Sequence, residues 1–248
     1  MEFVASQACQ FHFEIFMELK EGNLEDKVRA TPLTDAPTFK VLLRQMLSAL
    51  DYLAHNGMVH RDVKPANILY KNAGNRTIFQ LSDFGVCNLV GRATTAIGSQ
   101  LYMAPEILQN QNVLQTSKVD IWSLFVTLAD ATNMGKFRER AFETDAELIA
   151  ASLESAKFAP PDFQWLRDMA VVEPKDRVPA AVLLWTHFGG EGATTKRNQM
   201  WDKPALAMDS SSIWGKETAM NWESAHGKQP EKEKVPDWDV FFRRQEKC

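Results

Sequence analysis

Residues 59–69 read VHRDVKPANIL and bring together three side chains with complementary chemistry. Asp62 offers a carboxylate, Lys64 an ammonium group two positions on, and Asn67 an amide five positions on. A carboxylate can act as a base toward a hydroxyl, an ammonium group can neutralise an anion, and amide and carboxylate oxygens suit Mg²⁺.

Regular elements must position these groups. Apolar residues recur at three- and four-residue spacing between about Asp35 and Asn56, with Pro37 near the start and Gly57 just past the end, and predict a long amphipathic helix. Two strands are predicted around the turn KNAGN, and a strand over residues 11–19. Further helices are predicted over 118–132, 145–156 and 161–171.

Four short motifs occur in a fixed order along the chain: His60-Arg61-Asp62 with Lys64 and Asn67, Asp83-Phe84-Gly85, Ala104-Pro105-Glu106 and Asp120-Ile121-Trp122-Ser123. Together they resemble the eukaryotic protein kinase superfamily over roughly residues 11–188, and Lys64 is typical of its serine/threonine type. The resemblance implies an α+β, protein kinase-like fold. We expect a mainly helical C-lobe with a remnant of the N-lobe β-sheet.

The resemblance also implies a role for each residue of the site. Asp62 and Lys64 would be catalytic, Asn67 and Asp83 would hold Mg²⁺, and ATP would be the phosphoryl donor. The hydroxyl of Ser99 would bond Asp62 and Lys64. The nucleotide-binding positions would be Met17, Glu18, Lys20 and Leu69. At the hinge only backbone groups are needed, so the identities of these side chains constrain the assignment weakly.

Structural roles are implied for five further residues. Glu106 would form a buried ion pair with Arg177, and Asp120 would accept hydrogen bonds from the backbone of His60 and Arg61. Arg61 beside the catalytic Asp is typical of kinases switched by phosphorylation of the activation segment, and Thr95 is the candidate acceptor, with Thr94 the alternative. We expect His60 to pack and to donate or accept hydrogen bonds, not to transfer protons.

The sequence departs from the family pattern near its start. Only sixteen residues precede Met17, and neither G-x-G-x-x-G nor V-A-I-K occurs. We therefore expect a remnant of N-lobe strands over 1–17, the hinge and C-lobe over 18–188, and a polar, flexible tail over 189–248. Phe125, where the family commonly has Gly, and a short loop over 134–142 are smaller departures.

Two interpretations of this pattern stay open. The chain is either part of a serine/threonine kinase that transfers the γ-phosphate of ATP to Ser and Thr hydroxyls of proteins, or an inactive pseudokinase that serves as a scaffold. Small-molecule kinases share the catalytic Asp and the metal ligands. The Ala104-Pro105-Glu106 motif and Lys64 argue against that third class.

Composition narrows the choice of partners. A formal charge of -4 and a pI near 5.8 argue against nucleic acid as a binding partner. The sequence has no apolar run long enough to predict a membrane span. Three widely separated cysteines and the lack of a leader indicate a reducing compartment, so we expect the cytoplasm or the nucleus. The expected partners are a protein substrate and an upstream activating kinase.

Overall fold

Three small antiparallel sheets precede and flank a helical body in the computed structural model, which describes residues 3–8, 13–74, 76–90, 93, 98–109 and 113–199. Within these residues, strands β1 Phe3–Ala8 and β2 Phe13–Met17 pair with each other. Strands β3 Gly22–Asn23, β5 Ile68–Ala73 and β6 Arg76–Leu81 form the second sheet, and β4 Met58–Val59 pairs with β7 Asn88–Leu89. All of them fall within one compact unit, residues 1–206, and residues 207–248 lie outside the described part.

The helices in chain order are α1 Leu24–Val28, α2 Ala36–His55, α3 Pro105–Gln109, α4 Lys118–Thr132, α5 Asp145–Ser155 and α6 Ala180–His187. Short 3₁₀ helices join them. Pro161–Asp168, predicted as part of an α-helix, is one of these, with a kink at Phe163. No described helix is long and apolar enough to cross a bilayer.

Helix α2 forms where the periodicity predicts it. The Asp35 carboxylate caps its start by accepting from the Thr38 N–H at 2.9 Å, and Gly57, with φ of 69°, follows its end. Its buried apolar residues are Phe39, Leu42, Leu43, Met46, Leu47, Leu50 and Leu53. Burying each of these side chains stabilises the fold by roughly 1.5–3 kcal/mol.

Helix α4 is the centre of the core. Nearly all of its residues from Val119 to Ala131 are buried, as expected for a helix surrounded on every side by other elements. Phe125, a large ring where the family commonly has Gly, is 0 % exposed and belongs to this core. The neighbouring elements therefore accommodate the ring inside the protein.

Candidate active site

Residues 60–67 form a loop between β4 and β5, and α4 holds this loop through its polar side chains. The Asp120 carboxylate accepts from the backbone N–H of His60 and of Arg61, both at 2.8 Å. Asp120 is 1 % exposed, and burial raises its pKa while these partners oppose the rise. The two hydrogen bonds expected of Asp120 are therefore present.

Two more polar residues of α4 extend this anchor. The Ser123 hydroxyl donates to the Tyr102 carbonyl at 2.7 Å, and the Thr127 hydroxyl donates to the Val63 carbonyl at 3.3 Å. Asp120, Ser123 and Thr127 follow i, i+3, i+7 spacing and share one helix face. Sequence reasoning missed the last two, although polar residues at that spacing on an apolar helix were a visible signal.

His60 is buried and serves the loop as expected. Its Nε2 lies 3.0 Å from the Ser82 carbonyl, and its Nδ1 lies 3.4 Å from the Asp62 backbone nitrogen. A proton on Nε2 satisfies both contacts, because Nδ1 then accepts. The ring also meets Phe84 edge to face, with centroids 5.0 Å apart.

The Asp62 carboxylate is the centre of a dense hydrogen-bond cluster. Its Oδ2 lies 2.7 Å from the Lys64 ammonium and accepts from Asn67 Nδ2 at 2.9 Å. Its Oδ1 accepts from the Ser99 backbone N–H at 3.1 Å and from the Ser99 hydroxyl at 3.2 Å. Burial alone would raise the pKa of Asp62, but the partners Lys64, Ser99 and Asn67 together lower it. Asp62 is thus a carboxylate at neutral pH.

Ser99 also meets Lys64, whose ammonium group donates to the hydroxyl at 2.9 Å. Gly98 allows this close approach: its φ is 123°, and a Cβ there would lie only 2.5 Å from the Arg61 carbonyl. A side chain at position 98 would push Ser99 away from Asp62. In the structure, Asp62, Lys64 and Ser99 contact one another as the resemblance implied.

Asn67 and Asp83 lie at the same end of the β5–β6 pair. The Asn67 carbonyl accepts from the Ser82 N–H at 2.9 Å and from the Ser82 hydroxyl at 2.8 Å, and Ile68 is paired with Leu81. Asp83 follows Ser82 directly, with an exposed side chain and φ of 61°. A positive φ is uncommon for a non-glycine residue, although Asp adopts it more readily than most.

The chemistry of these two side chains fits a hard divalent cation. Asn67 uses its Nδ2 on the Asp62 carbonyl at 2.8 Å and on the Asp62 carboxylate, and its amide oxygen accepts no hydrogen bond from a described residue. The Asp83 carboxylate accepts only from the Gly85 N–H, at 3.2 Å, within the described part. No group of three or more His, Cys, Asp or Glu side chains suited to a metal occurs among the described residues. Two protein oxygens, completed by phosphate oxygens and water, match Mg²⁺.

Glu106 and Arg177 form the expected ion pair, 71 residues apart in sequence. Both guanidinium ends donate to the carboxylate at 2.9 Å, and the side chain of Arg177 is 0 % exposed. The remaining N–H groups donate to the carbonyls of Lys118, Val171 and Val172. All five donors of the guanidinium are therefore satisfied, which keeps a buried charge tolerable.

Comparison with known proteins identifies this arrangement. The protein kinase domain family matches residues 2–181 of the chain. The chain belongs to the protein kinase family. The fold class and the superfamily predicted from the motifs are confirmed, and the chain is a protein serine/threonine kinase by family.

Individual relatives are similar over shorter stretches. The serine/threonine-protein kinase chk-2 of Caenorhabditis elegans is 48 % identical over 81 residues, covering 32 % of this chain and 17 % of the relative. Ovarian-specific serine/threonine-protein kinase Lok of Drosophila melanogaster is 36 % identical over 114 residues, 44 % of this chain and 24 % of the relative. Calcium/calmodulin-dependent protein kinase type 1 of Caenorhabditis elegans is 35 % identical over 119 residues, which cover 47 % of this chain and 34 % of the relative. The chain spans about a third or less of the length of these relatives.

The residues predicted to form the hinge and the nucleotide-binding positions lie beside or within β3 and β5. The Glu18 carboxylate contacts the ammonium groups of Lys20 and Lys71, each at 2.5 Å, and their hydrogen bonds lower its pKa to about 2. Leu69 pairs with Asn23 on one side and with Gln80 on the other. Met17, expected to gate the back of the adenine pocket, is 52 % exposed. Nucleotide contacts at these positions stay a prediction.

Arg61 contacts the segment that follows Asp83-Phe84-Gly85, which we predicted to begin the activation segment. Its φ is 73°, and its Nε donates to the Val86 carbonyl at 2.5 Å. Its terminal nitrogens make no hydrogen bond with a described residue. Nearby Cys87 is buried, and burial, with Asp120, raises the pKa of its thiol to about 11, so that it stays a packed thiol at neutral pH. Thr94 and Thr95 lie outside the described residues.

A second polar cluster, centred on Asp130, escaped prediction. The Tyr102 hydroxyl donates to Asp130 at 3.0 Å, and Arg138 lies 3.4 Å from the same carboxylate. Arg138 also donates to the Val28 carbonyl at 2.7 Å. Burial raises the pKa of Asp130, opposed by Tyr102 and Arg138. These residues come from three separate elements, and no local pattern in the sequence connects them.

Proposed function

We propose that this chain catalyses transfer of the γ-phosphate of ATP to Ser and Thr hydroxyls of protein substrates. The observation that carries the proposal is the cluster in which Asp62 is held by Lys64, Ser99 and Asn67. A base that is already oriented and ionised before the substrate arrives requires little reorganisation during the reaction.

Asp62 acts on the acceptor hydroxyl. Its lowered pKa keeps it as a carboxylate that accepts a hydrogen bond from the hydroxyl and then its proton. The hydroxyl oxygen forms the new bond to the γ-phosphorus, and the bond from that phosphorus to the β–γ bridging oxygen breaks, which releases ADP. The Lys64 ammonium, 2.7 Å from Asp62, would neutralise charge on the transferred group.

Asn67 and Asp83 would hold the nucleotide through Mg²⁺. The ion, when bound, neutralises charge on the phosphate oxygens. The support for this assignment is that an acceptor-only amide oxygen and an exposed carboxylate stand at the same end of one strand pair. The adenine would contact the hinge near Glu18 and Lys20, with Met17 and Leu69 beside it.

The activation segment offers a point of control. An upstream kinase would phosphorylate Thr95, and the phosphate would pair with Arg61. Support comes from the terminal nitrogens of Arg61, which make no hydrogen bond within the described residues, since a guanidinium binds phosphate through two such nitrogens. We propose that this activity takes place in the cytoplasm or the nucleus. The hinge and C-lobe would span residues 18–188, and residues 1–17 would be a remnant of the N-lobe strands.

The catalytic assignment is tested by Asp62→Asn, which keeps the shape of the side chain and removes the base. With Mg²⁺, ATP and a generic basic protein such as histone, we expect the rate of phosphate incorporation to fall by at least about 10²-fold. Asp162→Asn, at an exposed position, serves as the control and should retain the rate. An undiminished rate in Asp62→Asn would refute the assignment. Nucleotide binding without any transfer by the unaltered chain would favour the scaffold.

A further inference from the structure

A buried carboxylate on the helix that leads into the catalytic loop has no role in phosphoryl transfer. Asp51, in the last part of α2, is 2 % exposed and forms no ion pair with a described residue. Its Oδ2 accepts from the backbone N–H groups of Thr194 at 2.7 Å and of Thr195 at 2.9 Å. Its Oδ1 accepts from the Thr195 hydroxyl at 2.7 Å. The charge is thus satisfied entirely by donors 143 and 144 residues away.

These donors belong to residues 189–195, GGEGATT, which we call the strap. The strap follows α6 and begins the segment that we expected to be flexible. Gly190 has φ of 81°, and its N–H donates to the Leu184 carbonyl at 2.9 Å. The Trp185 indole donates to the Thr195 carbonyl at 2.9 Å, so both ends of the strap are fixed to α6.

Close packing on α2 and α6 explains two of the three glycines of the strap, Gly190 and Gly192. A Cβ at Gly190 would lie 2.5 Å from the Trp185 ring, and one at Gly192 would overlap the Ser48 hydroxyl. Gly192 also has φ of 80°. Arg44, one turn before Ser48, lies 3.0 Å from the Glu191 carboxylate. The strap is therefore fitted to one face of α2 along Arg44, Ser48 and Asp51.

The chemistry at Thr195 makes this attachment sensitive to charge. Its hydroxyl donates a hydrogen bond to the buried Asp51 carboxylate, so a neutral donor is needed at that point. An anionic group in the same place would face Asp51 at contact distance, where two like charges repel strongly because little water separates them. Thr194 differs, since only its backbone meets Asp51 and its side chain is exposed.

We propose that the strap is a charge-sensitive latch, closed by the neutral Thr195 hydroxyl on Asp51 and opened by negative charge at position 195. Asp51 lies nine residues before His60 on the helix that ends just ahead of the catalytic loop. When the latch is open, the C-terminal end of α2 loses its contacts with the strap. Opening therefore loosens the strap and the last turns of α2 together.

The test compares Thr195→Glu with Thr194→Glu, which adds the same charge one residue away. Hydrogen exchange followed by mass spectrometry should show faster exchange in Thr195→Glu over residues 189–199 and 47–56. The melting temperature should fall by about 5 °C. Thr194→Glu should match the unaltered protein in both measurements. Thr195→Val removes one hydrogen bond without adding charge. Its melting temperature and exchange rates should lie between those of Thr194→Glu and Thr195→Glu.

Asp51→Asn combined with Thr195→Glu separates charge repulsion from general damage to the strap. The amide can donate to the introduced carboxylate, so the double variant should regain at least half of the melting temperature lost in Thr195→Glu. Equal effects of Glu at 194 and 195, or a double variant no more stable than Thr195→Glu, would overturn the proposal. Neither measurement depends on catalysis, so the outcome is independent of the proposed function.

Discussion

At the scale of single residues, the side chain that defines the site is Asp62. Its environment pulls its pKa in two directions: burial favours the neutral acid, and the hydrogen bonds from Lys64, Ser99 and Asn67 favour the carboxylate. The second group of effects prevails. Because its folded pKa lies below that of an unfolded Asp, ionised Asp62 contributes stability above the unfolded pKa. That contribution is lost as the pH falls through the folded value.

Lys64→Met tests this balance. Without the ammonium group, the pKa of Asp62 should rise, and the variant should lose less stability than the unaltered protein as the pH falls below the pKa of an unfolded Asp. The measurement is the Asp62 carboxyl carbon shift against pH by NMR, with denaturation at each pH alongside. Lys175→Met, at an exposed Lys, is the matched control. An Asp62 pKa that is the same in Lys64→Met and in Lys175→Met would show that Lys64 does not hold the carboxylate.

The sequence predicted residue contacts well where a motif supplied both partners. The contacts of Asp120 with His60 and Arg61, of Ser99 with Asp62, and of Glu106 with Arg177 are all present. It did not predict the contact of Asp130 with Tyr102 and Arg138 or of Asp51 with Thr195. These partners are set by how distant elements pack, and no short-range pattern encodes that packing.

At the scale of elements, strong periodicity predicted the two longest helices, α2 and α4, but not the shorter helices α1, α3 and α6. Helix α2 was predicted between about 35 and 56 and spans Ala36–His55, while α4 has the predicted bounds. The strap shows the opposite case. Its Gly and Thr composition is typical of flexible chain, yet residues 189–195 are bound to α2 and α6. The packed part of the chain thus extends beyond the boundary expected at 188.

The ion pair between Glu106 and Arg177 fixes α3 to the segment before α6, and its removal should be costly. Arg177→Met leaves the Glu106 carboxylate and three carbonyls without their donor, so we expect a loss of about 3–5 kcal/mol in the free energy of unfolding. Urea denaturation measures it. Arg167→Met, at an exposed Arg with no partner among the described residues, should change stability by less than about 0.5 kcal/mol. A loss below about 1 kcal/mol in Arg177→Met would contradict a structural role for the pair.

At the scale of the whole molecule, one helix organises the site. Polar groups on a single face of α4 hold both the catalytic loop and the segment after Ser99, while the β5–β6 pair sets Asn67 and Asp83 at one end. The family fold could be predicted from ordered motifs, because each motif has a fixed place in it. The arrangement of α4, the loop and the strap depends on packing among residues far apart in sequence, and the structure was needed to show it.

The proposed function depends most on Asn67 and Asp83 binding one Mg²⁺ ion together with the nucleotide. The direct measurement is the melting temperature of the protein with ATP, in Mg²⁺ and in EDTA, for the unaltered chain, Asn67→Ala, Asp83→Ala and the exposed control Asp162→Ala. Binding at one hundred times the dissociation constant stabilises the folded state by about 2.7 kcal/mol. We predict a rise with Mg²⁺ and ATP in the unaltered chain and in Asp162→Ala, and little or none in the other two variants. An equal rise in Asp83→Ala, or no rise in the unaltered chain at millimolar nucleotide, would contradict the account.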